Sequence, residues 1–334
     1  MPKPKRIVTV TGAGGFVGRA LVTRLLKEPS LEVRCMLRAG SDREQLQSIS
    51  DRLTFCEGDI TQPDSLVPAM KDSWGVVNLA GYREFWARDR EQFYAINQHG
   101  AENVFEACLA VGAEKVVQVS TPLAFGVPKN LPFNEESAPG AHPSDYARSK
   151  YLGDAAGWTM HRERDLPLTV VHLAAVIGAG DDKSTMEVRR AVEEQLPALV
   201  GADTTYTYVY LQDAAEAIAR ALLSPDTVGR RFLIGDERAT TREYFQLIGD
   251  IAGVRTPDIN IPERWLMPTA RVMEWVSRRT GKRPAIPLDV IKTTAAGSLL
   301  FSAELSKQAL AMEYTPLREA LTEAVADIRE TGTR

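Results

Sequence analysis

Residues 11–18 read Thr11-Gly12-Ala13-Gly14-Gly15-Phe16-Val17-Gly18, preceded by Ile7-Val8-Thr9-Val10 and followed by an amphipathic stretch over 17–26. A β-branched strand that runs into a glycine turn and straight out into a helix is the setting a pyrophosphate needs. Glycine permits the tight turn, lets the backbone approach the phosphates, and lets the helix pack closely on the strand. The helix N-terminus offers unpaired N–H groups and the positive end of its dipole. Gly12, Gly14, Gly15, Phe16, Val17 and Gly18 are the expected contacts. The spacing is Gly-x-x-Gly-x-x-Gly, shifted from the Gly-x-Gly-x-x-Gly of the commonest dinucleotide fingerprint.

Outward from this loop the first half alternates short apolar runs with helical patterns. Strands are predicted at 7–11, 32–37, 53–57, 76–79, 116–120 and 168–173, with a later one at 231–234. Nearly continuous apolar character, without alternation, is the mark of strands covered on both faces. Helices are predicted at 17–26, 64–70, 90–110 and 145–160. In the third, Phe93, Ile96, Gly100, Val104 and Ala107 form one stripe at spacings of three and four. Such repetition predicts an α/β fold, a Rossmann-type doubly wound parallel sheet. The second half has a Gly/Asp-rich break at 177–182, a helix at 211–223, and a helix from the Thr240-Thr241 cap to about 251. Pro257, Pro262, Pro268, Pro284 and Pro287 then favour short helices and loops over sheet. The expected division is 1–178 plus 209–235 for the sheet domain and 179–208 plus 236–315 for a smaller, mostly helical substrate-binding part. Residues 316–334 would form a C-terminal helix.

Composition narrows the function. The 334 residues carry 40 Lys+Arg against 44 Asp+Glu, a net charge of −4, with none of the basic surplus expected of a nucleic-acid binder. Cys35, Cys56 and Cys108 are three in number and far apart, which excludes a disulfide framework and a Cys-x-x-Cys metal site and fits a reducing compartment. His99, His142, His161 and His172 lack ligand spacing, so no metal is expected. No run approaches 18 apolar residues, so no membrane span is expected and a cytoplasmic protein is.

The second strand bears on the cofactor. An NAD-preferring site places a carboxylate about 20 residues beyond the last glycine. Here Leu37-Arg38 stands at the strand end and the first acid is Asp42. Arg38 suits a 2′-phosphate and favours NADP(H). Tyr146 and Lys150 are four apart on a predicted helix, hence on one face. A phenol is a poor base at neutral pH, and a nearby ammonium would favour the phenolate. Ser120-Thr121 closes the fifth strand at the sheet end where ligands bind in open α/β folds. A hydroxyl there could hold a substrate oxygen beside Tyr146.

Taken together, these segments resemble the extended short-chain dehydrogenase/reductases. The likeness covers nearly the whole chain through Thr11-Gly12 to Gly18, Gly58-Asp59-Ile60, Asn78-Leu79-Ala80-Gly81, Asn97, Ser120-Thr121 with Phe125-Gly126, and Tyr146 to Lys150. Tyr208-Val209-Tyr210-Leu211-Gln212-Asp213-Ala214-Ala215 and the helical pattern at 317–332 add to it. The stretch Tyr82-Arg83-Glu84-Phe85-Trp86-Ala87 is most similar to bacterial dihydroflavonol-reductase-like members. The resemblance implies Tyr146 as general acid/base and Lys150 as binder of the nicotinamide ribose and depressor of the phenol pKa. Thr121 would be the catalytic hydroxyl, with Ser120 the fallback. Asp59 and Ile60 would border the adenine, Ala80 and Gly81 would line the cofactor cleft, and Arg38 would select NADP. Members of this family are commonly homodimers.

Departures from the family pattern narrow the chemistry. Pro122-Leu123 replaces the Asp-Glu pair of sugar-nucleotide dehydratases. Tyr206-Thr207 stands where epimerases place the arginine that grips the nucleotide diphosphate, and Leu173-Ala174-Ala175 alters the usual Arg-Pro. A less charged pocket implies a neutral substrate. The expectation is an NADP(H)-dependent oxidoreductase that interconverts a ketone or aldehyde and an alcohol. The alternatives are a nucleotide-sugar epimerase with tightly bound NAD(P) and a cofactor-binding homologue without catalysis. Trp86 is the tryptophan expected near substrate, and Asn78, standing where many relatives have His, is a departure expected to change little.

Overall fold

The computed structural model describes residues 5–180 and 184–332. Its strands, in chain order, are β1 (Arg6–Thr11), β2 (Leu31–Leu37), β3 (Thr54–Glu57), β4 (Ser73–Asn78), β5 (Lys115–Ser120), β6 (Leu168–Leu173), β7 (Ala175–Ile177), β8 (Leu199–Val200), β9 (Thr205–Tyr210), β10 (Arg231–Ile234), β11 (Glu237–Thr240) and β12 (Asn260–Ile261). Seven of them form one parallel sheet in the order β10-β6-β5-β4-β1-β2-β3. All seven predicted strands are found, within a few residues of their expected ends. From β1 the chain builds outward through β2 and β3, then crosses to β4 and builds the other way. The β1/β4 boundary is therefore the switch point, and its carboxyl end is where a doubly wound sheet binds ligand.

Both faces of the sheet are covered. Helices Phe16–Leu25 and Leu211–Leu223 pack together on one side, and Leu66–Met70, Gly100–Val111 and Asp145–Arg164 lie on the other. The alanine-rich inner face of Leu211–Leu223, with Ala214, Ala215, Ala217 and Ile218 fully buried, lets it lie close to the sheet. Its Asp213 accepts hydrogen bonds from the backbone N–H (2.6 Å) and hydroxyl (3.1 Å) of Thr315. That contact fastens the approach to the C-terminal helix Leu317–Gly332 onto the sheet domain.

Beyond the parallel sheet the chain is mostly helical, as expected, and Glu263–Thr280 runs for 18 residues through Pro268 where short helices and loops are expected; short strands join it. Strands β11-β9-β7 make a three-stranded sheet, antiparallel between β11 and β9, and β12 pairs with β8. Antiparallel β9 and β11 are far apart in sequence, and nothing local announces their pairing. The helix Thr241–Ala252 begins at Thr240 as expected, with a reciprocal capping box to Glu243. It packs with Ser184–Val192 and Leu317–Gly332 around a separate apolar cluster that includes Ile248, Leu321 and Val325. Of the predicted break at 177–182, residues 181 and 182 lie outside the described residues.

Candidate active site

The glycine loop sits at the switch point. Gly12 has φ +65°, and a Cβ there would meet Ala80 N and Leu79 C at 2.9 Å, so the turn is pressed against the end of β4. Gly15 N–H donates to Gly12 O at 3.0 Å and closes the turn. A Cβ on Gly18 would fall 2.2 Å from Gly12 O and 2.7 Å from Ala13 O, so this glycine lets the helix start directly on the loop. Gly14 and Gly15 are exposed, the nearest atom to a Cβ on Gly14 being Leu37 Cδ2 at 3.8 Å. Phe16–Leu25 begins with no side-chain cap and no acid in its first turn. A close-packed inner side, an open outer side and an uncapped helix start fit a dinucleotide pyrophosphate. Gly18→Ala is expected to cost roughly 1–3 kcal/mol because the atoms met are backbone and cannot swing aside. Thermal melting with and without cofactor would measure it.

Around the loop the structure arranges the other expected contacts. Arg38 follows β2 directly and is exposed, its guanidinium without a hydrogen-bond or ion partner among the described residues. Asp59 accepts from the N–H (2.9 Å) and hydroxyl (2.7 Å) of Thr61, while Ile60 is buried beneath Gly100, and Asn103 holds the Ile60 carbonyl at 2.8 Å. Ala80 N–H donates to Thr11 Oγ1 at 3.0 Å. That hydroxyl donates to Asn78 Oδ1 (2.6 Å), whose amide donates to Gln118 Oε1 (2.8 Å). Asn78 is thus the middle of a buried ladder joining β1, β4 and β5. Its capacity both to donate and to accept is what the ladder uses.

The reacting groups converge at the ends of β4 and β5. The Thr121 side chain helps to lower the Tyr146 phenol, and its Oγ1 accepts the Leu123 N–H at 3.3 Å. Ser120 instead donates to Asp154 Oδ2 at 2.5 Å, so only Thr121 of the pair faces the tyrosine. Lys150 is buried and donates from Nζ to Val119 O at 2.8 Å; a Cβ on Gly81 would lie 4.0 Å from Nζ. Burial pushes the Tyr146 phenol up, Arg83 and Thr121 pull it down, and Asp154 pushes it up again. Arg83 contributes a positive charge that favours the phenolate. Burial lowers the Lys150 pKa, with Asp154 opposing. The edge of Phe85 meets the Tyr146 ring at 5.9 Å between centroids. Trp86 lies next to it, its Nε1 buried, against Glu274, Arg278 and Leu288 of the smaller part.

Sequence reasoning missed how the tyrosine helix is seated. The predicted helix over 90–110 is interrupted by a π-helical turn at Ala95–His99, which contains Asn97. Asn97 is buried; its Oδ1 accepts the Tyr82 N–H at 2.7 Å, and its Nδ2 donates to Tyr82 O and Ser149 Oγ, both at 3.0 Å. Asn97 thereby ties the loop carrying Arg83 and Phe85 to the helix carrying Tyr146 and Lys150. Single-turn π insertions of this kind recur at functional sites. Gly153 and Gly157 bring the two helices together, since a Cβ would lie 2.3 Å from Asn97 O at the first and 2.8 Å from Phe105 Cε2 at the second.

Behind Lys150 lies a second polar group. Asp154 and His172 are both buried, and they line a cavity of about 300 Å³ with Phe125, Trp158, Arg162 and Arg231. His172 Nδ1 donates to Thr121 O at 3.1 Å, which leaves Nε2 as the acceptor. Neither that nitrogen nor Asp154 Oδ1 has a hydrogen-bond partner among the described residues. Burial raises the Asp154 carboxyl to about 6 and lowers the His172 imidazole to about 3.

Comparisons with known proteins agree with this geometry. The chain is 29% identical over 329 residues to a Synechocystis sp. protein named "Putative dihydroflavonol 4-reductase", covering 95% of this chain and 92% of that one. It is 26% identical over 289 residues to the 2-alkyl-3-oxoalkanoate reductase of Shewanella oneidensis, covering 82% and 73%. The crystal structure of gox2253 superposes with a TM-score of 0.83 at 29% identity, covering 98% and 99% of the two chains. A model of the NAD dependent epimerase/dehydratase family matches residues 8–235, the span that holds the glycine loop, Thr121, Tyr146 and Lys150. With that match and the parallel sheet beneath it, the chain belongs to the NAD-dependent epimerase/dehydratase family, within the extended short-chain dehydrogenases/reductases.

Proposed function

We propose that this protein is a cytoplasmic NADP(H)-dependent reductase that interconverts a neutral ketone or aldehyde and its alcohol. The observation that carries the reading is the placement of buried Lys150, its Nζ held by Val119 O at 2.8 Å beside Gly81, on the same helix as Tyr146 and next to Thr121 at the carboxyl end of β5. When bound, the nicotinamide supplies or accepts the hydride. Tyr146 donates the proton to the carbonyl oxygen during reduction and takes it back during oxidation. Thr121 holds that oxygen against the phenol, and Arg83 favours the charged form of the tyrosine when the proton has left. Lys150, fixed by Val119 O beside Gly81, would face the nicotinamide ribose. Gly12, Gly14, Gly15, Phe16, Val17 and Gly18 would hold the pyrophosphate, Asp59 and Ile60 the adenine, and Ala80 and Gly81 the rest of the cleft. Phe85 and Trp86 would supply an apolar wall for substrate, completed by the part made of 179–208 and 236–315. A homodimer is part of the proposal, and its test is sedimentation.

Arg38 would choose the dinucleotide. Arg38→Ala is expected to weaken NADPH by about 1–3 kcal/mol, roughly 10–100-fold, and to leave NADH nearly unchanged. Equal losses for both cofactors in fluorescence titration would make Arg38 a general contact. The function itself is tested by loss of NADPH absorbance across aromatic, aliphatic and steroidal carbonyls, with nucleotide sugars alongside. Stoichiometric NADPH oxidation with a carbonyl supports the reductase. Epimerised sugar without net loss of NADPH would replace it with the epimerase reading.

A further inference from the structure

The helix Glu263–Thr280 turns Ala270 and Ser277 inward and packs on Leu288–Ala295. Its outward face, opposite those two, holds Trp265, Val272, Trp275 and Val276 in one stripe. These side chains are 69%, 63%, 56% and 43% exposed, and Ile259, which leads into the helix, is 65% exposed. Two tryptophans and two valines in line on solvent are far from the scattered apolar residues of an ordinary surface. Beside the stripe, Arg264, Arg271 and Arg278 repeat every seven residues, and the Arg279 guanidinium lies 3.9 Å over the Trp275 ring. Residues 255–283 hold seven basic and three acidic side chains in a chain whose net charge is −4. Of the three acids, Glu274 is paired with Arg278, while Arg264 and Arg271 have no ion pair among the described residues.

We infer that the outward face of Glu263–Thr280 docks on an anionic lipid membrane, lying in the headgroup layer with Trp265 and Trp275 as anchors. The favoured occupant follows from charge: an apolar stripe with tryptophans, bordered by unpaired arginines, complements anionic headgroups above acyl chains. A second copy would bring the same arginines against one another across a two-fold contact. No described helix is long and apolar enough to cross a membrane, so this contact would be peripheral. The docking stands on the surface alone. Its use for delivering an apolar carbonyl to the Phe85–Trp86 wall, which lines one pocket with Glu274 and Arg278 of the same helix, rests on the reductase reading.

The test is sedimentation of the full-length protein with vesicles of phosphatidylcholine alone or with about 30% phosphatidylglycerol. Wild type is expected to bind the anionic vesicles and to be released by high salt. The double variant W265S/W275S should bind about tenfold more weakly, and R264Q/R271Q should bind several-fold more weakly to the anionic vesicles only. Unchanged melting and NADPH binding would show both variants folded. Absence of wild-type binding, or binding that survives W265S/W275S, overturns the proposal. So does a wild-type dimer that ignores vesicles and becomes a monomer in W265S/W275S, because the stripe then belongs to a second copy. None of these readouts uses turnover, so failure here is separate from failure of the reductase assignment.

Discussion

Tyr146→Phe is expected to lower kcat by about 10²–10⁴-fold, the usual contribution of a positioned acid, while NADPH binding changes little. The substitution removes one oxygen and keeps the ring, which still meets the edge of Phe85. Thr121 continues to cap the turn at Leu123, so the site should remain folded. The pH profile adds a sign. Burial holds the phenol above its ordinary range despite Arg83, so the wild-type group stays protonated at neutral pH. Reduction, which needs the proton, should persist into alkaline solution. Alcohol oxidation, which needs the phenolate, should rise with pH. Removing the Arg83 charge should move the oxidation limb further up. Initial rates in both directions across pH, for wild type and Tyr146→Phe, would measure this. Turnover that survives in Tyr146→Phe would remove Tyr146 from the acid/base role.

How much of this site can be read along the chain depends on how local each contact is. The loop at 11–18 is legible because strand, turn and helix start are contiguous, and Gly12 and Gly18 have backbone reasons that need no distant partner beyond Leu79-Ala80. Tyr146 and Lys150 are legible because helical spacing alone puts them on one face. The seven sheet strands declare themselves by unbroken apolar runs. Asn97 enters the sequence reading only through the family resemblance, since the regular stripe through Phe93 and Ile96 gives no sign of the π turn that contains it. Its partners Tyr82 and Ser149 are 15 and 52 residues away. Gly153 and Gly157 look like weak points in a helix until the neighbouring helix is seen against them. The β11-β9-β7 sheet fails for the same reason. Its register is set by the fold around it, between strands about 30 residues apart in the chain.

The pair behind Lys150 gives a prediction in which two effects partly cancel. His172 is held neutral in the folded protein, with its pKa lowered from 6.5 to about 3 by burial. A depressed folded-state pKa means that the unfolded chain takes up the proton first. Stability from His172 is complete above pH 6.5 and is lost as pH falls toward 3. Between pH 7 and pH 5 this loss is about 2 kcal/mol, at about 1.4 kcal/mol per pH unit. Asp154 has the opposite sign. Its folded-state pKa is raised from 3.8 to about 6, so its contribution is complete below pH 3.8 and is lost as pH rises through 6. Moving from pH 7 to pH 5 restores about 1 kcal/mol. Wild type should therefore change only modestly over this range on account of the pair. Asp154→Asn, which keeps an oxygen for the Ser120 hydroxyl, should leave the histidine's slope alone and become about 1 kcal/mol more acid-sensitive than wild type. His172→Asn, which keeps an N–H for Thr121 O, should leave the carboxyl alone and gain about 2 kcal/mol relative to wild type on the same shift. Urea unfolding of the three proteins at pH 7 and pH 5 would measure both slopes. Comparing each protein with itself removes the constant cost of the smaller side chain. Slopes of the same sign in the two variants would mean that Asp154 and His172 do not titrate as independent buried groups.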